Sequence, residues 1–114
     1  MKILLKKLKR GRIMYKIKWS NEAKSDIKNI YDFIKLKSVE VAKNLVTDIR
    51  NAPKSVVFEN QFSADEYASQ CRKIVVKNYK ILYVADVQNK TINVIAVFDT
   101  RQNPDKLSDI VIKP

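Results

Sequence analysis

The sequence predicts an α+β domain of β-α-α-β-β-β order, with a helical hairpin packed on an antiparallel meander sheet. Three observations carry this prediction: one short alternating strand pattern, two amphipathic helical patterns, and three strand runs joined by tight connections. Successive tight connections imply a meander, and the helices need one sheet face on which to bury their apolar stripes. At 114 residues the chain has about the length of one domain.

The first strand pattern is the run Tyr-Lys-Ile-Lys-Trp at residues 15–19, in which apolar and cationic residues alternate. Such alternation predicts a half-buried strand. Ser20 or Asn21 can then cap a first helix. Three- and four-residue spacing defines its apolar stripe: Ala23, Ile27, Ile30, Tyr31 and Ile34.

A second helix is predicted after Ser38, and Pro53 ends it or follows its end. Its apolar stripe consists of Val39, Ala42, Leu45, Val46 and Ile49. The short link between the helices predicts an antiparallel hairpin. Residues 53–69 show no sustained period and are predicted to form a loop, with a candidate short strand at residues 56–58.

The second half of the chain carries strand signal throughout. The strand runs are residues 71–76, 79–87 and 91–98, with turns at residues 77–78 and 88–90. Both faces of the last two runs are apolar in the middle. We therefore expect a helix layer on one face and a loop, tail or partner over part of the other. A short turn of helix is predicted at residues 104–109.

The formal net charge is +11, from 23 Lys and Arg against 12 Asp and Glu. This balance indicates a polyanionic partner, either nucleic acid or an acidic protein. Residues 1–13 hold six cations and no acid, so residues 14–114 carry 17 cations against 12 acids, a net of +5. We predict a folded domain over residues 14–114. Residues 1–13 would be a disordered or start-site extension, or alternatively an arm that contacts phosphates.

Two absences restrict the chemistry. The chain has no His, the commonest general base at neutral pH and the commonest transition-metal ligand. Cys71 is the only cysteine, so neither an intramolecular disulfide nor a thiolate zinc cluster can form. No metal and no cofactor are predicted, and Ser-His-Asp and Cys-His catalysis are excluded.

The same features suggest a compartment. A lone thiol fits a reducing cytoplasm. No apolar run approaches the roughly 18 to 20 residues that span a bilayer. The apolar stretch at residues 3–5 is too short for a signal peptide. We predict a cytoplasmic protein without a membrane partner.

Four cations of the second half are the candidate functional residues: Arg72, Lys73, Lys80 and Arg101. Because antiparallel strands bring distant positions side by side, some of these cations could converge at one end of the sheet and hold a phosphate. Tyr79 and Tyr83 could then stack a base.

The structural alternatives use the same residues. Arg72 and Arg101 could form surface ion pairs with an acid such as Asp86, Asp99 or Asp105. The two tyrosines alternate as core residues do, which favours burial over base stacking.

The stretch from Met14 to about Leu107 resembles the RelE/ParE superfamily of toxins from type II toxin-antitoxin modules. The resemblance is carried, in order, by YKIKWSNEAKSDIKNIYDFI, CRKIVVKNYKILYVAD and VIAVFDTRQNP. It implies the strand, helical hairpin and meander order already expected. The family's basic positions fall on Arg72 or Lys73, on Lys80 and on Arg101.

The resemblance implies one of two activities, each neutralised by a cognate antitoxin, usually through a segment that wraps the toxin. RelE-type members cleave messenger RNA in the ribosomal decoding site, whereas ParE-type members bind DNA gyrase and block it without cleaving RNA. Nucleases of the family often place a His or Tyr near the C-terminus, and this chain has neither after Tyr83.

We therefore predict the toxin of a plasmid-stabilising module that acts on gyrase or on translation. One alternative is a ribosome-dependent, metal-independent mRNA endonuclease, in which Arg72 and Arg101 stabilise the phosphorane. Its base would be Glu59, Glu66, or a Lys73 or Lys80 of lowered pKa. A further alternative is a basic RNA-binding domain without a toxic role.

Overall fold

The computed structural model describes residues 15–59 and 61–102. The extension predicted at residues 1–13 and the helical turn predicted at residues 104–109 lie outside the described residues. The described elements are β1 (Lys16–Trp19), α1 (Asn21–Ile34), α2 (Val39–Asn51), β2 (Arg72–Val76), β3 (Tyr79–Asp86) and β4 (Thr91–Asp99). The predicted α+β class and element order are confirmed.

Serine caps begin both helices. The Ser20 hydroxyl accepts a hydrogen bond from the Ala23 N–H at 3.0 Å. The Ser38 hydroxyl accepts one from the Val41 N–H at 3.2 Å. Each cap satisfies a donor that has no partner within its helix, which is worth roughly 1 kcal/mol. The short link at residues 35–38 folds α1 back against α2, as predicted.

The sheet has the strand order β1-β4-β3-β2. Strands β2, β3 and β4 form the predicted antiparallel meander. β1 adds to the free side of β4 in parallel, with Ile17 opposite Ile92. This parallel pairing makes the sheet mixed, and the sequence did not indicate where β1 would lie.

The helices cover one face of this sheet, called here the inner face. Tyr83, Ile81, Ile92 and Val94 point into that core and are fully buried. Ile27 of α1 and Ile49 of α2 pack against them. Burying side chains of this size stabilises the fold by about 1.5–3 kcal/mol each, so the inner face is its main source of stability.

A loop covers part of the opposite, outer face, as the apolar pattern of β3 and β4 predicted. Residues 61–71 form this covering loop. Its Ala68 and Cys71 pack on Leu82 and Ala96 in a second, smaller buried cluster. Burial raises the pKa of the Cys71 thiol to about 11, so the thiol is protonated at neutral pH.

The short strand predicted at residues 56–58 is wrong. A 3₁₀ turn, Ala52–Ser55, follows α2, and the chain then bends away. The Gln61 side chain accepts from the Val57 N–H at 2.7 Å and donates to the Ser55 carbonyl at 2.8 Å. A side-chain amide therefore provides the hydrogen bonds that a neighbouring strand would have provided.

A bulge interrupts the pairing of β3 with β4, where the register shifts between Leu82 and Tyr83 and Ile95 becomes the extra residue. Two side chains at the start of α1 bond to β4 at this bulge. The Ser20 hydroxyl donates to the Ile95 carbonyl at 2.7 Å, and the Asp26 carboxylate accepts from the Val97 N–H at 2.9 Å. These bonds fix α1 to the sheet at the point where the ladder is irregular.

Both predicted hairpin turns are confirmed, and each contains a lysine in the left-handed region. Lys77 has φ 53° and Lys90 has φ 51°. Glycine adopts this conformation most easily, but Gly11 is the only glycine of the chain. Each lysine therefore holds a conformation that costs stability relative to glycine.

Candidate functional site

Lys80 lies on the outer face, opposite Val75 of β2 and Phe98 of β4. Its Nζ donates to Asp65 Oδ1 of the covering loop at 2.6 Å. The ammonium also lies 5.2 Å from the centre of the Tyr67 ring and 5.8 Å from that of Phe98. With 6% of its surface exposed, Lys80 is enclosed by the covering loop.

Asp65 is the partner that the sequence did not reveal, because it lies in a stretch without periodic pattern. Its second carboxylate oxygen accepts from the backbone N–H groups of Tyr67 at 3.0 Å and Ala68 at 2.8 Å. Burial raises the pKa of Asp65, but the hydrogen bonds from Lys80 and the two N–H groups outweigh burial and hold it below its usual value. Asp65 is therefore a carboxylate, and the hydrogen bond that it accepts from Lys80 fastens the covering loop to β3.

Lys73 shares the outer face with Lys80, since it lies opposite Leu82. Its Nζ is 3.0 Å from Glu66 Oε1, and its backbone N–H donates to the Ser63 carbonyl at 3.1 Å. The hydrogen bond that Lys73 donates to Glu66 raises the pKa of Lys73. A base would need the opposite shift, so the suggestion that Lys73 has a lowered pKa is wrong.

Arg72 points to the inner face, beside Tyr83 on β3. One of its guanidinium nitrogens donates to the Phe62 carbonyl at 2.5 Å. The Phe62 ring meets the Tyr83 ring edge to face, with centroids 6.4 Å apart. Arg72 also forms an isolated β-bridge with Ala64. It therefore contacts the same covering loop from the other side of β2.

The predicted convergence takes an unexpected form. Lys73 and Lys80 lie on the outer face and Arg72 on the inner one, yet each bonds to the stretch between residues 62 and 66. Their common neighbour is thus the covering loop. Their charges hold this loop to the sheet, so the arrangement does not resemble an open cradle for phosphate.

Arg101 follows β4 and forms the surface ion pair that was one of the alternatives. Its Nε and one terminal nitrogen donate to the two oxygens of Asp99 at 2.9 and 2.8 Å. The guanidinium lowers the pKa of Asp99. Asp99 lies opposite Tyr79, four residues along β3 from the partner of Arg72. Along the strands, Arg72 is therefore about 13 Å from the level of Asp99, the residue that binds Arg101.

The two tyrosines belong to the core, as their alternation favoured. Tyr79 is 5% exposed and Tyr83 is fully buried. Burial raises the pKa of both phenols. Neither ring can stack on a base without unfolding of the sheet.

The part of the outer face beyond the covering loop is open. A groove of about 720 Å³ lies there, with Val84 and Ile95 on its apolar floor. Lys18, Asp86 and Glu59 contribute charges of both signs to its walls. Glu59, one of the suggested bases, therefore faces this groove and is not in the cluster of sheet cations.

Neither a metal site nor a membrane span is found where the chain is described. Among residues 15–59 and 61–102, no three His, Cys, Asp or Glu side chains are grouped so that they could hold a metal ion. No helix of that part is long and apolar enough to cross a bilayer.

A comparison with protein families identifies the class to which this fold and sequence belong. The model of the ParE toxin of type II toxin-antitoxin systems, parDE, matches residues 17–104. This match covers most of the chain, so the protein belongs to the ParE toxin family. No curated protein matches it.

Solved structures to which this chain is similar include three from toxin-antitoxin systems. The chromosomal ParDE system from P. aeruginosa is 23% identical, covers 77% of this chain and 98% of its own, and has a TM-score of 0.60. The RelBE2 complex from Mycobacterium tuberculosis is 16% identical over 76% and 99% of the chains, with a TM-score of 0.46. The isolated E. coli RelE toxin is 16% identical over 78% and 87%, with a TM-score of 0.46. The first of these likenesses shows a shared fold.

Proposed function

We propose that this chain arrests growth by binding DNA gyrase, without cleaving RNA, and that a cognate antitoxin neutralises it in the cytoplasm. Membership of the ParE family supports the gyrase target, since ParE-type toxins block gyrase. The similar structure from P. aeruginosa is that of a ParDE toxin-antitoxin system, which supports an antitoxin partner. The open groove beside Val84 and Ile95 offers such a partner a recess on the outer face.

One observation supports a mode of action without RNA cleavage: the cations of the sheet, Arg72, Lys73 and Lys80, bond to the covering loop. Metal-independent RNA cleavage needs a base for the 2′-hydroxyl, positive charge beside the phosphorane and an acid for the leaving oxygen. Lys73 has a raised pKa and Lys80 is enclosed. The chain has no His to serve as acid or base.

The first experiment is expression of the full chain with and without the neighbouring gene. We expect growth arrest that the neighbouring gene relieves, because the antitoxin of such modules is encoded beside the toxin. Primer extension on translated messages should show no new 5′ ends during the arrest.

Arg101→Ala is the sharpest variant for this question, because Arg101 is exposed and its ion pair contributes little to stability. We expect the Arg101→Ala protein to remain toxic. The matched control Lys54→Ala, which removes another exposed cation, should remain toxic too. New cuts in messages that disappear in Arg101→Ala but persist in Lys54→Ala would establish a nuclease and overturn the proposal.

A further inference from the structure

We propose that the end of the α1–α2 hairpin is the anchor that inserts into a concave apolar pocket, rimmed by acidic groups, on a folded target protein. This inference rests on the proposed function, in which the target is gyrase. The anchor consists of four apolar residues, called here the hairpin tip: Phe33, Leu36, Val39 and Val41. Leu36 lies in the link between the two helices, at residues 35–38, and the other three lie within three residues of that link.

The tip side chains are unusually exposed for their type. Leu36 is 79% exposed and Phe33 60%, while Val39 and Val41 are each about half exposed. The other large apolar side chains exposed in the described residues are spread over separate elements, namely Phe58, Tyr67, Val75 and Val87. A grouped set of exposed apolar side chains, including an aromatic one, is typical of a protein interaction site.

Hydrogen bonds hold the backbone that carries the tip. The N–H groups of Lys37 and Ser38 both donate to the Ile34 carbonyl, at 3.0 and 3.1 Å. The Lys35 N–H donates to the Tyr31 carbonyl at 2.9 Å, and Ser38 caps α2. A tip already held in one conformation loses little conformational entropy when it binds, which favours tight association.

The charges around the tip define the partner's rim. Residues 33–43 contain Lys35, Lys37 and Lys43 against Glu40, a net of +2. Lys35 is already paired with Asp32 at 3.2 Å. Lys37 and Lys43 form no ion pair within the described part of the chain. Acidic groups on the partner would complement these two cations and steer its approach.

The shape of the tip separates its partner from the antitoxin. The tip is the convex end of a helical hairpin, so the concave surface must come from the partner, and a concave apolar pocket requires a folded protein. An antitoxin segment that wraps the toxin needs a concave surface on the toxin itself, and the groove beside Val84 and Ile95 provides one. The tip and the groove would therefore serve two different partners.

The test compares Phe33→Gln/Leu36→Gln with the matched control Phe58→Gln, which replaces an equally exposed aromatic residue far from the tip along the chain. Each full-length protein is measured for inhibition of purified gyrase, growth arrest, antitoxin binding and thermal unfolding. We expect the tip variant to need about 100-fold more protein for half inhibition, because two central anchors of an interface are removed. Its antitoxin binding and Tm should stay near those of the wild type, and the Phe58→Gln variant should inhibit normally.

Each other outcome overturns a defined statement. A tip variant that inhibits gyrase and arrests growth like the wild type overturns the tip proposal and leaves the proposed function intact. A tip variant that also loses antitoxin binding while remaining folded overturns the assignment of the tip to the target alone. If wild-type protein arrests growth without affecting gyrase, the gyrase target fails, and the tip proposal holds only if the tip variant loses the arrest. If the wild-type chain neither arrests growth nor inhibits gyrase, both proposals fail.

Discussion

Replacing Lys80 with Met should destabilise the protein strongly, because Lys80→Met leaves the Asp65 carboxylate buried without its cation. The Lys80 side chain is 7% exposed and that of Asp65 fully buried, with their charged atoms 2.6 Å apart. Removing one partner of such a pair costs about 3–5 kcal/mol. For a domain of this size, that free energy corresponds to a fall in Tm of roughly 12–20 °C.

A double-mutant cycle separates the pair from its surroundings. Met fills the space between Tyr67 and Phe98, and Asn at position 65 still accepts from the Tyr67 and Ala68 N–H groups. We therefore expect Lys80→Met/Asp65→Asn to regain at least half of the stability lost in Lys80→Met. Chemical denaturation at pH 7 of the wild type, Lys80→Met, Asp65→Asn and the double variant gives the coupling energy between the two side chains.

The dependence of the free energy of unfolding on pH in the acidic range tests the same pair. The pKa of Asp65 is lowered from an ordinary value of 3.8, so its contribution is present above about pH 4 and is lost as the pH falls through the lower folded value. The Asp65→Asn variant should lack this loss. A Lys80→Met protein as stable as the wild type would refute a structural role for Lys80. Loss of toxicity in such a stable protein would refute it as well.

Three further predictions concern single residues. Because the buried Cys71 thiol has a pKa of about 11, only about one molecule in a thousand carries a thiolate at pH 8. A thiol reagent should therefore react quickly only after denaturation. Rapid labelling of the folded protein would contradict this burial. Asp26→Ala should cost about 1–3 kcal/mol in a denaturant titration since it leaves the Val97 N–H without its acceptor, whereas Asp26→Asn can keep that bond and should change stability by less than about 1 kcal/mol. Lys90→Gly removes a lysine from the left-handed region, so it should raise the free energy of unfolding by up to roughly 1 kcal/mol and raise Tm slightly. A lower Tm would show that the turn is not strained.

Local features of the fold were predictable from the sequence because the interactions behind them are local. The stripes that include Ile27 and Ile49, with serine caps before them, fix where each helix begins and which side it buries. Pairing of β1 with β4 joins residues more than 70 positions apart, so no local pattern could reveal it. The bulge residue Ile95 likewise bonds to Ser20, which lies 75 positions earlier in the chain.

The candidate site divides in the same way. The sequence could identify Arg72, Lys73, Lys80 and Arg101 as the cations of interest, because each lies in or beside a recognisable strand. Their bonding could not be read from it. Three of them bond within an irregular loop whose order comes from those same contacts, whereas Arg101 bonds to a neighbour two positions away. Only the last kind of pairing is visible in sequence.

The central claim is that this toxin blocks gyrase and leaves RNA intact. A supercoiling assay with purified gyrase, relaxed plasmid and purified full-length chain tests that claim most directly, with the Asp65→Asn/Lys80→Met protein measured in parallel. We expect the wild-type chain to inhibit supercoiling in proportion to its concentration, and the double variant to inhibit it equally once the result is corrected for its folded fraction. Unchanged supercoiling at a concentration where the same preparation cuts ribosome-bound messenger RNA would contradict it.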